Sequence, residues 1–182
     1  VARTGERLPY TLRCLIGAEE ETSMGDLTHY LAHYPAPLFA FTPDADFPLI
    51  CGEKGVFEGY VTSGDILGAP ESRIVEMDGG TVSNAICGLA TAIVRADVSV
   101  LPAAEGIDVE PAGAGRTKLT AHGKGGHASL PEGTVNAIGM VARYLLDNDV
   151  CSPDERAFLE LERLLCASGH DGAALGIASS ND

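Results

Sequence analysis

Apolar residues in the first third of the chain fall into short continuous runs separated by one segment with helical spacing. Residues 12–16 form such a run, and two more span residues 39–41 and 47–51. Short apolar runs bounded by glycine or proline are typical of strands buried in a sheet. Between them lies the pattern of an amphipathic helix capped by Ser23: Leu27, Tyr30, Leu31 and Tyr34. The order strand, helix, strand predicts an α/β arrangement with a parallel-type sheet.

The hydrophobic pattern changes near Lys54, where we place a domain boundary. Beyond it, helices alternate with strand-like segments at residues 56–62, 72–77 and 116–121. The small-residue segment 111–115 predicts a hairpin loop. We therefore expect an incomplete α/β layer at residues 1–54 and an α+β domain, with helices on one face of an antiparallel sheet, at residues 55–182.

Two helices are predicted in the second part. One follows from an apolar stripe that begins at Val135. The other begins at a capping box formed by Ser152 and Glu155 and continues to Gly169. A final Gly-Ile-Ala run at residues 176–178 predicts another strand.

The charge of the chain narrows the choice of partners. It has 12 basic and 26 acidic side chains, a net charge of −14 at pH 7, and no basic cluster that could follow a phosphate backbone. We therefore expect no nucleic acid partner, and divalent cations are favoured instead. Hydrophobic residues make up 45% of the chain, which is enough for a buried core.

The cysteines and the lack of long apolar segments indicate the compartment. The five cysteines are odd in number and mostly flanked by apolar residues, so we interpret them as reduced core residues of a cytoplasmic protein. No stretch approaches the roughly 20 apolar residues of a membrane helix, and the N-terminus lacks a signal-peptide pattern, so we expect no membrane partner. Because the chain opens with Val1 and stops just after an apolar run, we expect it to be an internal piece of a longer protein.

Acidic residues follow the first predicted strands. Glu19, Glu20 and Glu21 come directly after the run at residues 12–16, and Asp44 lies in a loop that leads into the run at residues 47–51. If the two strands are parallel neighbours, the carboxylates of Glu21 and Asp44 meet at one sheet edge and could share divalent metals. The alternatives are a solvated acidic turn for the glutamates and a turn-forming aspartate for Asp44.

Several segments together resemble a known family. In order, they read LIGAEEET at 15–22, FTPDADFP at 41–48, GEKG at 52–55, GGTVSNA at 79–85, GKGGHASLPEG at 123–133 and LGIA at 175–178. They resemble the PepV-type (Sapep-like) dipeptidases. These belong to the co-catalytic zinc metallopeptidases, with the carnosinases, aminoacylases and carboxypeptidase G-type enzymes. The resemblance implies a partial catalytic domain at residues 1–54 and a truncated, ferredoxin-like lid domain at residues 55–182.

The resemblance also implies roles for five residues. Glu20 is the general base, Glu21 a ligand of one zinc ion and Asp44 a ligand of the other, with manganese or cobalt as possible substitutes. Two such ions would share a water whose pKa falls from about 15.7 towards 7. His127 is the lid histidine that donates a hydrogen bond to the oxyanion, and Asn84 helps to bind the substrate. The alternatives are a surface or capping histidine for His127 and a helix N-cap for Asn84, with a helix after it.

Some parts of the family's site have no counterpart in the sequence. These are an upstream His-x-Asp motif, a bridging aspartate, a downstream histidine and a lid arginine. We therefore expect the intact parent to be a zinc dipeptidase and this chain alone to bind zinc weakly and to be inactive. An unblocked dipeptide is the first choice of substrate and an N-acyl amino acid the nearest rival. A catalytically silent dimerisation or binding module is the alternative from another class, and the oligomeric state stays open.

Overall fold

The computed structural model describes residues 5–20, 23–43, 50, 58–62, 71–167, 170 and 172–177. The chain divides into two compact units, Val1–Glu58 and Gly59–Asp182. Among the described residues, every buried side chain belongs to the second unit. The hydrophobic core therefore lies in the second unit.

The first unit contains helix α1, Gly25–His33. Residues 12–16 and 39–41, which we expected to be strands, are extended or irregular and exposed. This expectation was wrong because a strand needs a neighbour to accept and donate its backbone hydrogen bonds, and the described part of this unit supplies none to them. The third run, at residues 47–51, lies almost wholly outside the described residues, so the parallel-type sheet stays a prediction.

Helix α1 begins differently from the sequence prediction. Its N-cap is Met24, in a left-handed conformation and without a side-chain cap, and not Ser23. The carboxylate of Asp26 instead accepts the N–H of Leu27 at 2.8 Å, within the first turn. Asp26 also accepts the N–H of Ala18, in the chain before the helix, at 2.7 Å.

Antiparallel sheets form the centre of the second unit. The strands are β1 (Ile74–Gly79), β2 (Ala85–Ile86), β3 (Leu89–Val94), β4 (Ile107–Pro111), β5 (Thr117–His122) and β6 (Gly126–His127). Four of them form one sheet in the order β1-β3-β5-β4, and β2 pairs with β6 in a separate ribbon. The hairpin expected at residues 111–115 is confirmed, since Ala112 and Arg116 close the turn between β4 and β5 with a 2.8 Å hydrogen bond.

Two helices pack on this sheet. Helix α2 (Ala137–Asp147) begins at Asn136, whose side chain accepts the N–H of Ile138, and helix α3 (Pro153–Leu165) begins at the predicted capping box of Ser152 and Glu155. The core includes small and aliphatic side chains from β3, β5, α2 and α3, among them Ala90, Ala92, Val94, Leu119, Ala121, Val141, Leu145 and Leu159. Their alternation along β3 and β5 matches the period of two that a one-sided sheet requires.

Several predicted elements of the second unit differ in the structure. The chain after Asn84 forms β2 and β3 and no helix, because β3 is held between two antiparallel neighbours. Helix α3 ends at Leu165 rather than Gly169. Residues 176–177, the described part of the strand expected at residues 176–178, have no strand structure and follow a 3₁₀ turn, Ala173–Leu175. Residues 58–62, the described part of another expected strand, have no strand structure.

The cysteines only partly match the core interpretation. Cys87 is buried and Cys151 and Cys166 are half-buried, whereas Cys14 is exposed. Cys14 is exposed because the apolar run that contains it packs against no sheet in the described part of the chain. Cys51 lies outside the described residues.

Candidate functional site

The short ribbon of β2 and β6 brings two of the candidate residues together. His127, the last residue of β6, pairs with Ala85 of β2. Directly beyond that pair, the N–H of Ala128 donates to the carbonyl oxygen of Asn84 at 2.8 Å. His127 is exposed and Asn84 is half-buried. Two residues far apart in the sequence are therefore neighbours through backbone pairing.

Backbone contacts around glycines hold this ribbon. The N–H of Gly123 donates to the carbonyl of Gly88 at 2.9 Å, and Lys124 and Val135 exchange two hydrogen bonds of 2.9 Å. A Cβ on Gly88 would lie 2.7 Å from the nitrogen of Gly125, and a Cβ on Gly123 would lie 2.2 Å from the carbonyl oxygen of Val135. Glycine is required at both positions because backbones cross there at a distance that excludes side chains. The glycine-rich segment before His127 thus allows backbone segments to pack closely next to the ribbon.

One nitrogen of the His127 ring contacts Ser129. Nδ1 lies 2.7 Å from the hydroxyl oxygen of Ser129 and accepts the N–H of Ser129 at 3.2 Å. Ser129 follows β6 by two residues, so the contact is local in the sequence. The orientation of the ring is therefore set by the turn that follows the ribbon.

Glu20 lies in the first unit, on an exposed turn just before helix α1. The carbonyl oxygen of Glu19 closes this turn by accepting the N–H groups of Ser23 at 3.1 Å and of Met24 at 2.9 Å. Glu20 is exposed, so solvent can reach its side chain. An exposed carboxylate on a short turn can exchange protons with water or with a substrate.

Asp26 is a positioning residue that the sequence pattern did not identify. Its Oδ2 accepts the N–H of Ala18 at 2.7 Å and that of Glu19 at 3.3 Å, and its Oδ1 accepts the N–H of Leu27. The pKa of Asp26 is lowered, chiefly by the bond from Ala18 and next by that from Leu27. The signal in the sequence is an acidic residue in the first helical turn, but that pattern does not reveal which upstream amide it binds.

The two expected metal ligands, Glu21 and Asp44, lie outside the described residues. Across the part of the chain that the structure does describe, no three side chains of histidine, cysteine, aspartate or glutamate come together as a metal site would require. His122 makes a pair with Asp108, at 2.7 Å between Nε2 and Oδ2 on the exposed face of the sheet. The metal site therefore stays a prediction from the resemblance.

Comparison with known proteins gives two partial similarities. No family model matches the chain. The chain is 30% identical over 86 residues to a Bacillus subtilis protein named "Putative dipeptidase YtjP". This matched stretch covers 46% of this chain and 19% of that protein. It is 44% identical over 43 residues to the "Beta-Ala-Xaa dipeptidase" of Lactobacillus delbrueckii subsp. lactis. This matched stretch covers 24% of this chain and 9% of that protein.

The matched stretches therefore span less than a fifth of the length of either relative. None of the helices that the structure describes is both long and apolar enough to cross a membrane. Both relatives carry the word dipeptidase in their names. The comparisons thus relate this chain, over short stretches, to proteins of the dipeptidase type.

Proposed function

We propose that this chain forms part of the active site of a metal-dependent dipeptidase. The observation that carries the proposal is the pairing of β2 with β6. This pairing makes neighbours of Asn84 and His127, the two residues that the resemblance assigns to contacts with the same substrate. The partial similarities to two proteins named as dipeptidases support it independently. The exposed position of Glu20 is compatible with a base that must reach a substrate.

Each of the chain's own residues has one task in the proposed reaction. Glu20 accepts the proton of the attacking water and passes it to the leaving amine. His127 donates a hydrogen bond to the oxyanion that forms on the scissile carbonyl, and Asn84 contacts the substrate beside it. Zinc, manganese or cobalt, held by Glu21 and Asp44 together with further ligands, would polarise the carbonyl and lower the pKa of water.

The test is hydrolysis of an unblocked dipeptide by the full-length gene product, with zinc, manganese or cobalt added in separate reactions. We expect Glu20→Gln to lower kcat at least about a hundredfold, because the amide cannot accept the proton. We expect His127→Gln to lower kcat by about a hundredfold, through loss of the oxyanion donor. Equal activity of Glu20→Gln and the wild type would remove the proposed base.

Matched controls separate these roles from general damage. Glu58→Gln makes the same chemical change on an exposed residue of the first unit, and His122→Gln makes it on an exposed histidine of β5. Both should stay within about twofold of the wild type, since surface substitutions have small effects. Preferred cleavage of N-acyl amino acids would favour a deacylase. No hydrolysis of either substrate class with any metal would favour a binding module.

A further inference from the structure

The contact between His127 and Ser129 determines which nitrogen of the histidine carries the proton. The N–H of Ser129 lies 3.2 Å from Nδ1, and a backbone N–H can only donate. Nδ1 must therefore accept, and it carries no proton. The hydroxyl of Ser129, at 2.7 Å from the same nitrogen, acts as a second and closer donor.

A neutral imidazole whose Nδ1 accepts a hydrogen bond carries its proton on Nε2. We propose that Ser129 is a positioning residue that holds His127 as the Nε2–H tautomer, with Nε2–H available as a hydrogen-bond donor. The identity of the group that accepts this bond, the substrate oxyanion, rests on the proposed function. The tautomer itself is a property of the chain and can be measured without a substrate.

The opposite tautomer is disfavoured by the same geometry. A proton on Nδ1 would face the N–H of Ser129, so that two donors would meet without an acceptor between them. It would also leave Nε2 as an acceptor, which repels an oxyanion instead of stabilising it. The orienting bond and the proposed chemistry of His127 therefore require the same proton position.

His33 offers an internal reference of the opposite kind. Its Nδ1 lies 2.8 Å from the carbonyl oxygen of His29, one turn earlier in helix α1. A carbonyl oxygen can only accept, so neutral His33 carries its proton on Nδ1. The chain thus contains two histidines for which the structure assigns opposite tautomers.

The experiment is a long-range ¹H–¹⁵N correlation spectrum of the ¹⁵N-labelled 182-residue chain. The spectrum is recorded at about pH 8, above the ordinary histidine pKa of about 6.5, and protonated and unprotonated nitrogens of a neutral ring give well-separated signals. Spectra of His127→Gln and His33→Gln assign the two rings. We expect a proton on Nε2 of His127 and on Nδ1 of His33. A proton on Nδ1 of His127, or an even mixture, would overturn the proposal.

Two variants of Ser129 test the cause. Ser129→Ala removes the closer donor and keeps only the longer backbone bond, so we expect the preference of His127 for the Nε2–H tautomer to weaken. Ser129→Thr keeps both donors and should restore the wild-type pattern. The signals of His122 report on β5 in the same samples and should not change. A wild-type pattern for His127 in Ser129→Ala would show that the hydroxyl has no such role.

Activity of the full-length gene product provides a separate readout. We expect Ser129→Ala to lower kcat about tenfold with little change in KM, less than the hundredfold typical of removing an oxyanion donor itself. Ser129→Thr should recover most of this loss. The tautomer spectrum decides the role of Ser129 and dipeptide hydrolysis by the wild type decides the proposed function, so either can fail while the other holds.

Discussion

At the scale of single residues, the carboxylate of Asp26 organises the turn that carries Glu20. Its two oxygens receive backbone N–H groups from both sides of that turn, at Ala18 and at Leu27. These bonds favour the charged carboxylate, which is why the pKa of Asp26 lies below its ordinary value. Because Glu20 lies between the two bonded segments, its position depends on a residue that performs no chemistry itself.

Asp26→Ala should release the chain before helix α1. We expect the amide of Ala18 to lose most of its protection against hydrogen exchange, because its acceptor at 2.7 Å is gone. The measurement is amide exchange followed by NMR. Asp97→Ala is the matched control, since Asp97 accepts the N–H of Ser99 at 2.9 Å in the second unit. That variant should affect Ser99 and leave Ala18 unchanged; equal protection of Ala18 in both variants would contradict the assignment.

At the scale of elements, Glu155 joins the start of helix α3 to the start of β1. Its side chain is 4% exposed and accepts four hydrogen bonds between 2.6 and 3.0 Å. The donors are the hydroxyl of Ser72 and the N–H groups of Arg73, Ile74 and Ser152. One carboxylate therefore completes a capping box and also ties the edge strand to the helix.

Removal of this carboxylate should be costly for folding. Glu155→Ala leaves three backbone N–H groups without their acceptor, while the Ser72 hydroxyl keeps the carbonyl oxygen of Ile74. We expect a loss of about 3 kcal/mol in the free energy of unfolding. Asp154→Ala, the exposed neighbour in the same helical turn, should cost less than about 1 kcal/mol. Urea denaturation followed by circular dichroism measures both. Similar losses in the two variants would show that Glu155 acts only through the helix dipole.

The same carboxylate predicts a loss of stability in acid. Burial acts to raise the pKa of Glu155, but the hydrogen bonds from Ser152, Ser72, Arg73 and Ile74 outweigh it and the pKa is lowered. A carboxyl with a lowered folded-state pKa stabilises the fold above its unfolded-state pKa, and this stabilisation disappears as the pH falls through the folded-state value. The wild type should therefore lose more stability than Glu155→Gln between about pH 5 and pH 3. Parallel pH profiles would exclude this contribution.

Local signals in the sequence were sufficient for some elements and insufficient for others. The capping box of Ser152 and Glu155 predicts the start of helix α3 because both partners lie within four residues. Strands β2 and β3 were missed because their form depends on β1, β5 and β6, which lie elsewhere in the sequence. The second role of Glu155, as an acceptor for the start of β1, is non-local for the same reason and has no sequence signature.

At the scale of the whole molecule, the two units differ in how they are stabilised. The second unit has a continuous core between one sheet face and two helices, whereas the described residues of the first unit include no buried side chain. Hydrophobic burial is the main favourable term in folding, so a unit without it has little intrinsic stability. The second unit should therefore fold without the first.

Expression of residues 59–182 alone tests this expectation. We expect cooperative urea unfolding with a midpoint close to that of the whole chain, because the core residues are all retained. Residues 1–58 alone should show no cooperative transition and only the weak helicity of a nine-residue helix. A cooperative transition in residues 1–58, or loss of the transition in residues 59–182, would contradict this division.

From the sequence, the candidate site could be predicted only as a set of residues, without their arrangement in space. The nearness of Asn84 to His127 depends on a ribbon of two residues per strand, which is too short to have a periodic pattern. The bond from Ser129 could be anticipated from its place two residues after a histidine, since serine commonly bonds to nearby groups in turns. The roles of Glu21 and Asp44 as metal ligands stay predictions that rest on the resemblance.

The reciprocal bonds between Lys124 and Val135 have a consequence for how this region can vary. They close residues 125–134 into a loop, with His127 near the first end and the turn at Pro131 near the second. Residues inserted or deleted beside Pro131 would change how far the loop extends, while the pairing of His127 with Ala85 would keep its register. The length of this loop can thus change without displacing His127 from its pairing, so we expect its second half to tolerate insertions and deletions that leave the ribbon intact.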